Sequence, residues 1–184
     1  MIGDDSVGKS SMLCRYIYGQ TKHVLVEPGV RVGLHIVDTA GHESKTLCHC
    51  FPQSAGCLLV FDLGNYKTFT YIKHRHTEVS KIVHPYTVLF VLAGHKCDRK
   101  EREVNQEEVE QCASALGAPY IEASARTGHN VADAFELLTR RIYQGYLSGE
   151  VSLHERWGKI HKDKPAENKT NKNEPAENNK CCVL

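Results

Sequence analysis

The stretch Gly3-Asp4-Asp5-Ser6-Val7-Gly8-Lys9-Ser10 decides the fold, because it fits the phosphate-loop pattern G-x-x-x-x-G-K-[ST]. Its two glycines let the backbone turn so that successive N–H groups point inward at phosphate oxygens. We expect Lys9 to reach the β- and γ-phosphates of a nucleotide, and the Ser10 hydroxyl to be a ligand of Mg²⁺. The alternative, an ordinary glycine-containing turn before a helix, must place four fixed positions at this spacing by chance.

The residues after the loop alternate between helical and strand patterns. An apolar stripe predicts a helix over residues 11–18 that Gly19 can end, with its positive N-terminal end aimed at the same phosphates. Alternating apolar residues on both sides of Pro28-Gly29 predict a β-hairpin. The continuous apolar runs at 57–61 and 87–93 are typical of strands buried on both faces.

Helices are also predicted between and after these strands. One covers residues 68–83, and Asn105 with Glu108 forms an N-cap pair for a second that ends at Leu116. After a short strand at 119–123, Asn130 caps a last helix. Strands that alternate with helices predict an α/β domain with a mostly parallel sheet, whose ligand lies at the carboxyl ends of the strands.

Composition excludes several classes of protein. A chain of 184 residues suits one domain with a tail, and a net charge of +1 favours no nucleic-acid partner. The eleven histidines are scattered, so they do not indicate a metal site. No apolar run is long enough to span a membrane, and without a signal sequence the eight cysteines are expected to be reduced thiols.

A change of composition near residue 148 predicts two regions, a domain over 1–147 and a flexible tail over 148–184. Residues 162–180 are mostly Lys, Asn, Glu and Pro, which cannot build a core. Four apolar residues interrupt the start of the tail, and they either dock on the domain or serve a partner. They are Val151, Leu153, Trp157 and Ile160.

Candidate ligand-binding residues follow three of the predicted strands. Asp38 can hold Mg²⁺ through water, and the N–H of Gly41 can sense a γ-phosphate. Asp98 can accept two hydrogen bonds from guanine that adenine cannot offer, while the stem of Lys96 lies along the base. A backbone N–H in Ser124-Ala125-Arg126 could bind the guanine carbonyl. Each motif is weak alone, but their order at strand ends favours one nucleotide site.

These residues resemble a known family. The motifs G-x-x-x-x-G-K-S, D-T-A-G, x-K-x-D and S-A-[KR] are similar in order to those of Ras-like small GTPases of the Rab branch. The stretch His95-Lys96-Cys97-Asp98, with His where most members have Asn, resembles a small Rab subgroup. The resemblance covers Gly3 to about Leu147 and the last residues of the tail.

The resemblance implies a P-loop NTPase (Ras-like) domain that binds GTP, GDP and Mg²⁺, hydrolyses GTP slowly and regulates vesicle traffic as a monomer. The implied partners are exchange factors, GTPase-activating proteins and effectors. The implied catalytic residues are Lys9, Gly41 and His42, and the implied metal ligands are Ser10 and Asp38. The implied nucleotide-binding residues are Gly3, Asp5, Ser6, Val7, Gly8, Lys9, Ser10, Ser11, Asp38, Gly41, His95, Lys96, Asp98, Ser124, Ala125 and Arg126.

The sequence departs from the family at several positions. Only Met1-Ile2 precedes the phosphate loop, so we expect the first strand to be largely missing, and the first switch is shortened. His42 stands where the family usually has the Gln that orients the attacking water, and Asp5 adds negative charge near the γ-phosphate. Both changes are expected to slow hydrolysis. A non-hydrolysing adaptor and a poorly folding truncated product are the alternatives.

The last four residues, Cys181-Cys182-Val183-Leu184, fit a prenylation signal. Two adjacent cysteines suggest two lipids, which is what stable anchoring requires. The sequence therefore predicts a lipid-anchored protein on the cytoplasmic face of intracellular membranes, with a cytosolic pool. The alternative is a chance pair of thiols at a disordered end.

Overall fold

The computed structural model describes residues 1–19, 23–39, 54–83 and 87–151, and the backbone of 181–183. The elements in chain order are α1 (Lys9–Gly19), β1 (His23–Glu27), β2 (Val30–Ile36), β3 (Gly56–Asp62), α2 (Tyr66–Val83), β4 (Leu89–His95), α3 (Gln106–Ala115), β5 (Tyr120–Ala123), α4 (Val131–Ser148) and β6 (Cys181–Val183). Strands and helices alternate after the hairpin, which confirms the predicted α/β class.

A parallel sheet of β3, β4 and β5 forms the centre of the fold. Every residue of β3 and β4 is buried, as their continuous apolar runs predicted. One face packs against α1 and α4 around Met12 and Phe135, and the other against α2 and α3 around Phe69. These two apolar layers fix the strand ends, from which the candidate site residues project.

The strands β1 and β2 form the predicted antiparallel hairpin around Pro28-Gly29, and β6 pairs with β2 in parallel. Leu34 faces Cys181 and Ile36 faces Val183 along this pairing. The flexible tail predicted from residue 148 did not include such a strand. Backbone hydrogen bonds between strands form regardless of the side chains. The polar composition of the residues before Cys181 therefore could not predict that β6 pairs with β2.

Met1 and Ile2 are completely buried beside β3. Ile2 donates its N–H to Leu58 O at 2.9 Å and accepts one from Val60 N at 2.7 Å, which makes a single parallel bridge where a longer first strand was thought to be missing. The backbone nitrogen of Met1 donates to Val37 O at 2.9 Å. The phosphate loop therefore starts beside the carboxyl ends of both β2 and β3.

The helix caps differ in part from their predictions. Asn105 accepts a hydrogen bond from Glu107 N at 2.9 Å, as expected of an N-cap. Glu108 does not complete a reciprocal pair, because its carboxylate binds Tyr66 and Lys73 of α2. Asn130 occupies the cap position of α4, but its side chain donates to Glu122 O at 2.9 Å instead of capping the helix.

The start of the tail docks on the domain at one residue. Val151 is 2% exposed, and its N–H donates to Gly145 O at 3.0 Å. Leu153, Trp157 and Ile160 lie outside the described residues. Within the described ranges, no helix combines the length and apolar character needed to cross a bilayer.

Candidate nucleotide-binding site

The phosphate loop is held in its turn by close backbone packing. A side chain at Gly3 would place its Cβ 2.2 Å from Val60 O, and one at Gly8 would meet the His95 ring at 2.5 Å. Gly8 has φ +99° and Ser6 has φ 61°, a left-handed conformation that is uncommon for a residue other than glycine. The loop thus needs glycine at both motif positions for close approach, and at Gly8 also for its positive φ.

Lys9 lies inside the loop, with the residue only 6% exposed. Its ammonium donates to Gly3 O at 2.6 Å and to Asp4 O at 3.0 Å. These two carbonyls hold the positive charge against the backbone of the phosphate loop.

The side chains of Ser10 and Asp38, the two predicted metal ligands, are in direct contact. The Ser10 hydroxyl donates to Asp38 Oδ2 at 2.5 Å. The other oxygen, Asp38 Oδ1, is buried and has no hydrogen-bond partner among the described residues. A hydroxyl, a carboxylate and a buried acceptor with spare capacity suit a hard cation such as Mg²⁺, directly or through water.

The Asp98 side chain is held in place by the loop after β5. The Ser124 hydroxyl donates to Asp98 Oδ1 at 2.6 Å, and Ser124 itself is fully buried. Arg126 approaches Asp98 Oδ2 at 3.7 Å. The Ser124 hydrogen bond, followed by backbone hydrogen bonding and the charge of Arg126, lowers the pKa of Asp98. Asp98 therefore remains an ionised acceptor at neutral pH, as the recognition of guanine requires.

His95 connects the phosphate loop with the loop after β5. Its Nε2 accepts from Ala125 N at 3.0 Å, so the ring proton resides on Nδ1, which donates to Val7 O at 2.6 Å. Burial lowers the pKa of His95. His95 is therefore a neutral, buried imidazole that bridges these two loops, and its predicted part in nucleotide binding stays a prediction.

Lys96 links the phosphate loop to the end of β3. Its backbone has φ 62°, and its ammonium donates to Ser6 O at 2.8 Å and to Asp62 Oδ2 at 2.6 Å. Asp62 was not among the residues predicted from the sequence. The signal existed, since Asp62 ends a buried strand in the same way as Asp38.

Two open cavities border Asp98, of about 720 Å³ and about 420 Å³. The larger is lined by Cys97, Asp98, Arg102, Glu122, Thr127, Gly128 and His129. The smaller is lined by Gly64, Asp98, Arg99, Lys100, Glu101 and Arg126. Neither includes the phosphate loop, so both lie on the base side of the candidate site.

The remaining predicted residues differ in how the structure places them. Asp5 and Ser11 are exposed, and the N–H of Asp5 donates to its neighbour Asp4 at 2.8 Å. Gly41 and His42 lie outside the described residues. For Cys181 and Cys182 only the backbone, paired with β2, is described.

A phosphate loop at one end of a parallel sheet, with the Asp98 carboxylate two strands away, is typical of a phosphate-loop nucleotide-binding protein. The sequence profile of the Ras family matches residues 1–144. Curated relatives include human Ras-related protein Rab-39A, 35% identical over 85% of this chain and 82% of its own length. Mouse Ras-related protein Rab-42 is 34% identical over 87% and 83%, and Dictyostelium discoideum Ras-related protein RabG2 is 32% identical over 81% and 83%.

The chain therefore belongs to the Ras family, in its Rab branch, and is a small GTPase that hydrolyses GTP to GDP. This confirms the family and the fold class predicted from the motifs. The match and the relatives do not assign roles to single residues, which rest on the geometry above.

Proposed function

We propose that the chain is a lipid-anchored regulator of vesicle traffic that binds GDP or GTP together with Mg²⁺ and hydrolyses GTP slowly. The observation that carries the nucleotide part is the ionised Asp98, held by Ser124 and joined to the phosphate loop through Lys96. The short loop after β4 thus carries both the proposed guanine acceptor and the lysine that contacts the phosphate-binding turn.

The chain's own residues divide the work of binding. The loop backbone and Lys9 hold the β- and γ-phosphates, and Asp98 accepts from the guanine ring N–H and its exocyclic amine. The N–H of Ala125 is engaged by His95, so we assign the guanine carbonyl to the neighbouring N–H of Arg126. The nucleotide's own phosphates would complete the loop's hydrogen bonds.

Ser10 and Asp38 would hold Mg²⁺, with Asp38 Oδ1 acting through water. When bound, Mg²⁺ neutralises charge on the β- and γ-phosphates. Ser10 would turn its hydroxyl oxygen from Asp38 to the cation, and Asp38 would keep the cation's water shell in place.

The slow rate rests on Asp5 and His42. Asp5 is exposed on the loop and adds a carboxylate near the predicted γ-phosphate position, where like charge disfavours the transition state. His42 takes the sequence position of the Gln that orients the attacking water in the family. A neutral imidazole has one donor and one acceptor on a rigid ring, so it replaces the flexible Gln amide poorly. Single-turnover hydrolysis tests this: slow release of phosphate supports the proposal, whereas none at all supports the adaptor.

The membrane part rests on the sequence of the last four residues and on the Rab relatives. Prenyl groups on Cys181 and Cys182 would supply the two lipids that stable anchoring needs. Exchange factors, GTPase-activating proteins and effectors would then act on a monomer at the membrane. Mass spectrometry of the protein from cells checks this directly, since each geranylgeranyl group adds a fixed mass to the C-terminal peptide.

The first experiment is thermal unfolding of the purified protein in Mg²⁺ with excess GDP or with excess ADP. A ligand at a thousand times its dissociation constant stabilises by about 4 kcal/mol, which raises the midpoint by several degrees. A cooperative transition raised by GDP alone supports the proposal. A transition that neither nucleotide moves would overturn it.

A further inference from the structure

We propose that Asp62 is a positioning residue for nucleotide binding, because it aims the ammonium of Lys96 at the phosphate loop. The inference rests on the proposed guanine-nucleotide site and adds to it a residue on a different strand. Asp62 ends β3, and its side chain is only 7% exposed.

Both oxygens of Asp62 are engaged, each by a different part of the protein. Oδ2 accepts from Lys96 Nζ at 2.6 Å, and Oδ1 accepts from Gly64 N at 2.9 Å. Arg99 also approaches Oδ2, at 3.5 Å, but that side chain is 54% exposed. A carboxylate can serve both partners, whereas an amide in its place has a single acceptor oxygen.

Lys96 needs such a partner because its backbone is held in an uncommon conformation. With φ 62°, the residue persists in the left-handed region only if its surroundings fix it there. The ammonium is fixed by two acceptors, Ser6 O from the phosphate loop and Asp62 Oδ2 from β3. Without Asp62, the loop carbonyl alone would hold a flexible four-carbon side chain.

The consequence is that β3 supports the contact between the phosphate loop and the loop after β4. Lys96 should lie along one face of the base, so its placement affects how long any purine nucleotide stays bound. The choice of guanine belongs to Asp98 and its two acceptor oxygens. Loss of Asp62 should therefore speed nucleotide release without changing which base is preferred.

The test is Asp62→Asn, measured by the release of a fluorescent GDP analogue and by the ratio of GDP to inosine diphosphate affinity. We expect release about tenfold faster, as for the loss of one hydrogen bond between charged groups, with an unchanged affinity ratio. The matched control is Glu108→Gln, which also replaces a carboxylate that is paired with a lysine. Its Oε1 lies 3.0 Å from Lys73 Nζ of α2. Its release rate should equal that of the parent protein.

A double-mutant cycle separates positioning from a structural role. In a Lys96→Met background, Asp62→Asn should add almost nothing to the release rate, because the side chain it positions is gone. Additive effects, a changed affinity ratio, or unaltered release in the single variant would overturn the inference. If the parent protein binds no GDP at all, the proposed function fails instead, and the two failures are thus distinguishable.

Discussion

The base side and the metal side of the candidate site differ in how completely the protein itself satisfies them. On the base side, Asp98, His95 and Lys96 each bind partners from another loop. On the metal side, Asp38 has one hydrogen bond, from Ser10, and one buried oxygen without a partner among the described residues. The base side is therefore preorganised, while the metal side is completed by what binds to it.

This difference indicates where binding energy originates. A preorganised group loses little conformational freedom when a ligand arrives, so its contacts contribute nearly in full to affinity. A buried acceptor without a partner disfavours the free protein, and a cation that satisfies it is correspondingly favoured. Substitutions on the base side should thus act through guanine, and substitutions on the metal side through Mg²⁺.

Asp98→Asn should have the largest effect. The amide replaces one of two acceptors by a donor, so one guanine hydrogen bond is lost and a donor faces a donor. We expect GDP affinity to fall about a hundredfold, as for the loss of one hydrogen bond to a charged group with an unfavourable donor–donor contact in its place. Xanthosine diphosphate, with a carbonyl in place of the amine, should gain affinity in the same titration. A variant that keeps its preference for GDP would mean that Asp98 does not read the base.

Ser10→Ala tests the metal side. Removing the hydroxyl takes away one oxygen ligand, so GDP affinity in Mg²⁺ should fall about tenfold. In EDTA the variant and the parent protein should bind GDP equally, because no cation then depends on the hydroxyl. Ser80→Ala is the matched control, since that hydroxyl bonds only its own helix at His76 O, 2.8 Å away. An equal loss with and without Mg²⁺ would remove Ser10 from the metal site.

The sequence predicts the base side better than the strand order around the metal side. Lys96, Asp98 and Ser124 lie in short motifs after buried strands, and local pattern is enough to place them at one edge of a sheet. The role of Asp62 depends on a contact between β3 and the loop after β4, which no spacing rule encodes. The pairing of β6 with β2 joins residues far apart in a polar sequence, so periodicity cannot reveal it.

His95→Asn tests the link between the two sides through pH. The ring is neutral, and burial places its pKa below the ordinary value of 6.5. Protonation would turn Nε2 into a donor facing Ala125 N–H, so GDP affinity should be constant at neutral pH and decline severalfold as pH falls through that lowered pKa. The asparagine amide keeps a donor at the reach of Nδ1 and does not titrate, so His95→Asn should bind GDP independently of pH in this range.

The control for this pH dependence is His76→Asn. Burial also lowers the pKa of His76, but that ring packs on Phe90, with ring centroids 4.4 Å apart, and contacts neither loop. The charged groups around His95, which are Lys96, Asp62 and Asp98, do not change with His76. His76→Asn should keep the full pH dependence of the parent protein. If it loses that dependence as well, His95 is not the group that titrates.

Deleting residues 181–184 should have the smallest effect, and one confined to the metal side. The residues of β2 that pair with β6 are 34–36, which end two residues before Asp38. Deleting β6 therefore leaves backbone groups of β2 without partners and leaves the pairing of β4 with β3 intact. We expect faster hydrogen exchange at β2 amides, unchanged exchange at β4, and a fall in stability of about 1 kcal/mol. Replacing Cys181 and Cys182 by Ser keeps the backbone and should leave exchange unaltered. Unchanged exchange at β2 in the deletion would show that β6 does not stabilise the hairpin.

Lipidation of the two cysteines would draw this strand out of the sheet, so the lipidated protein should exchange like the deletion.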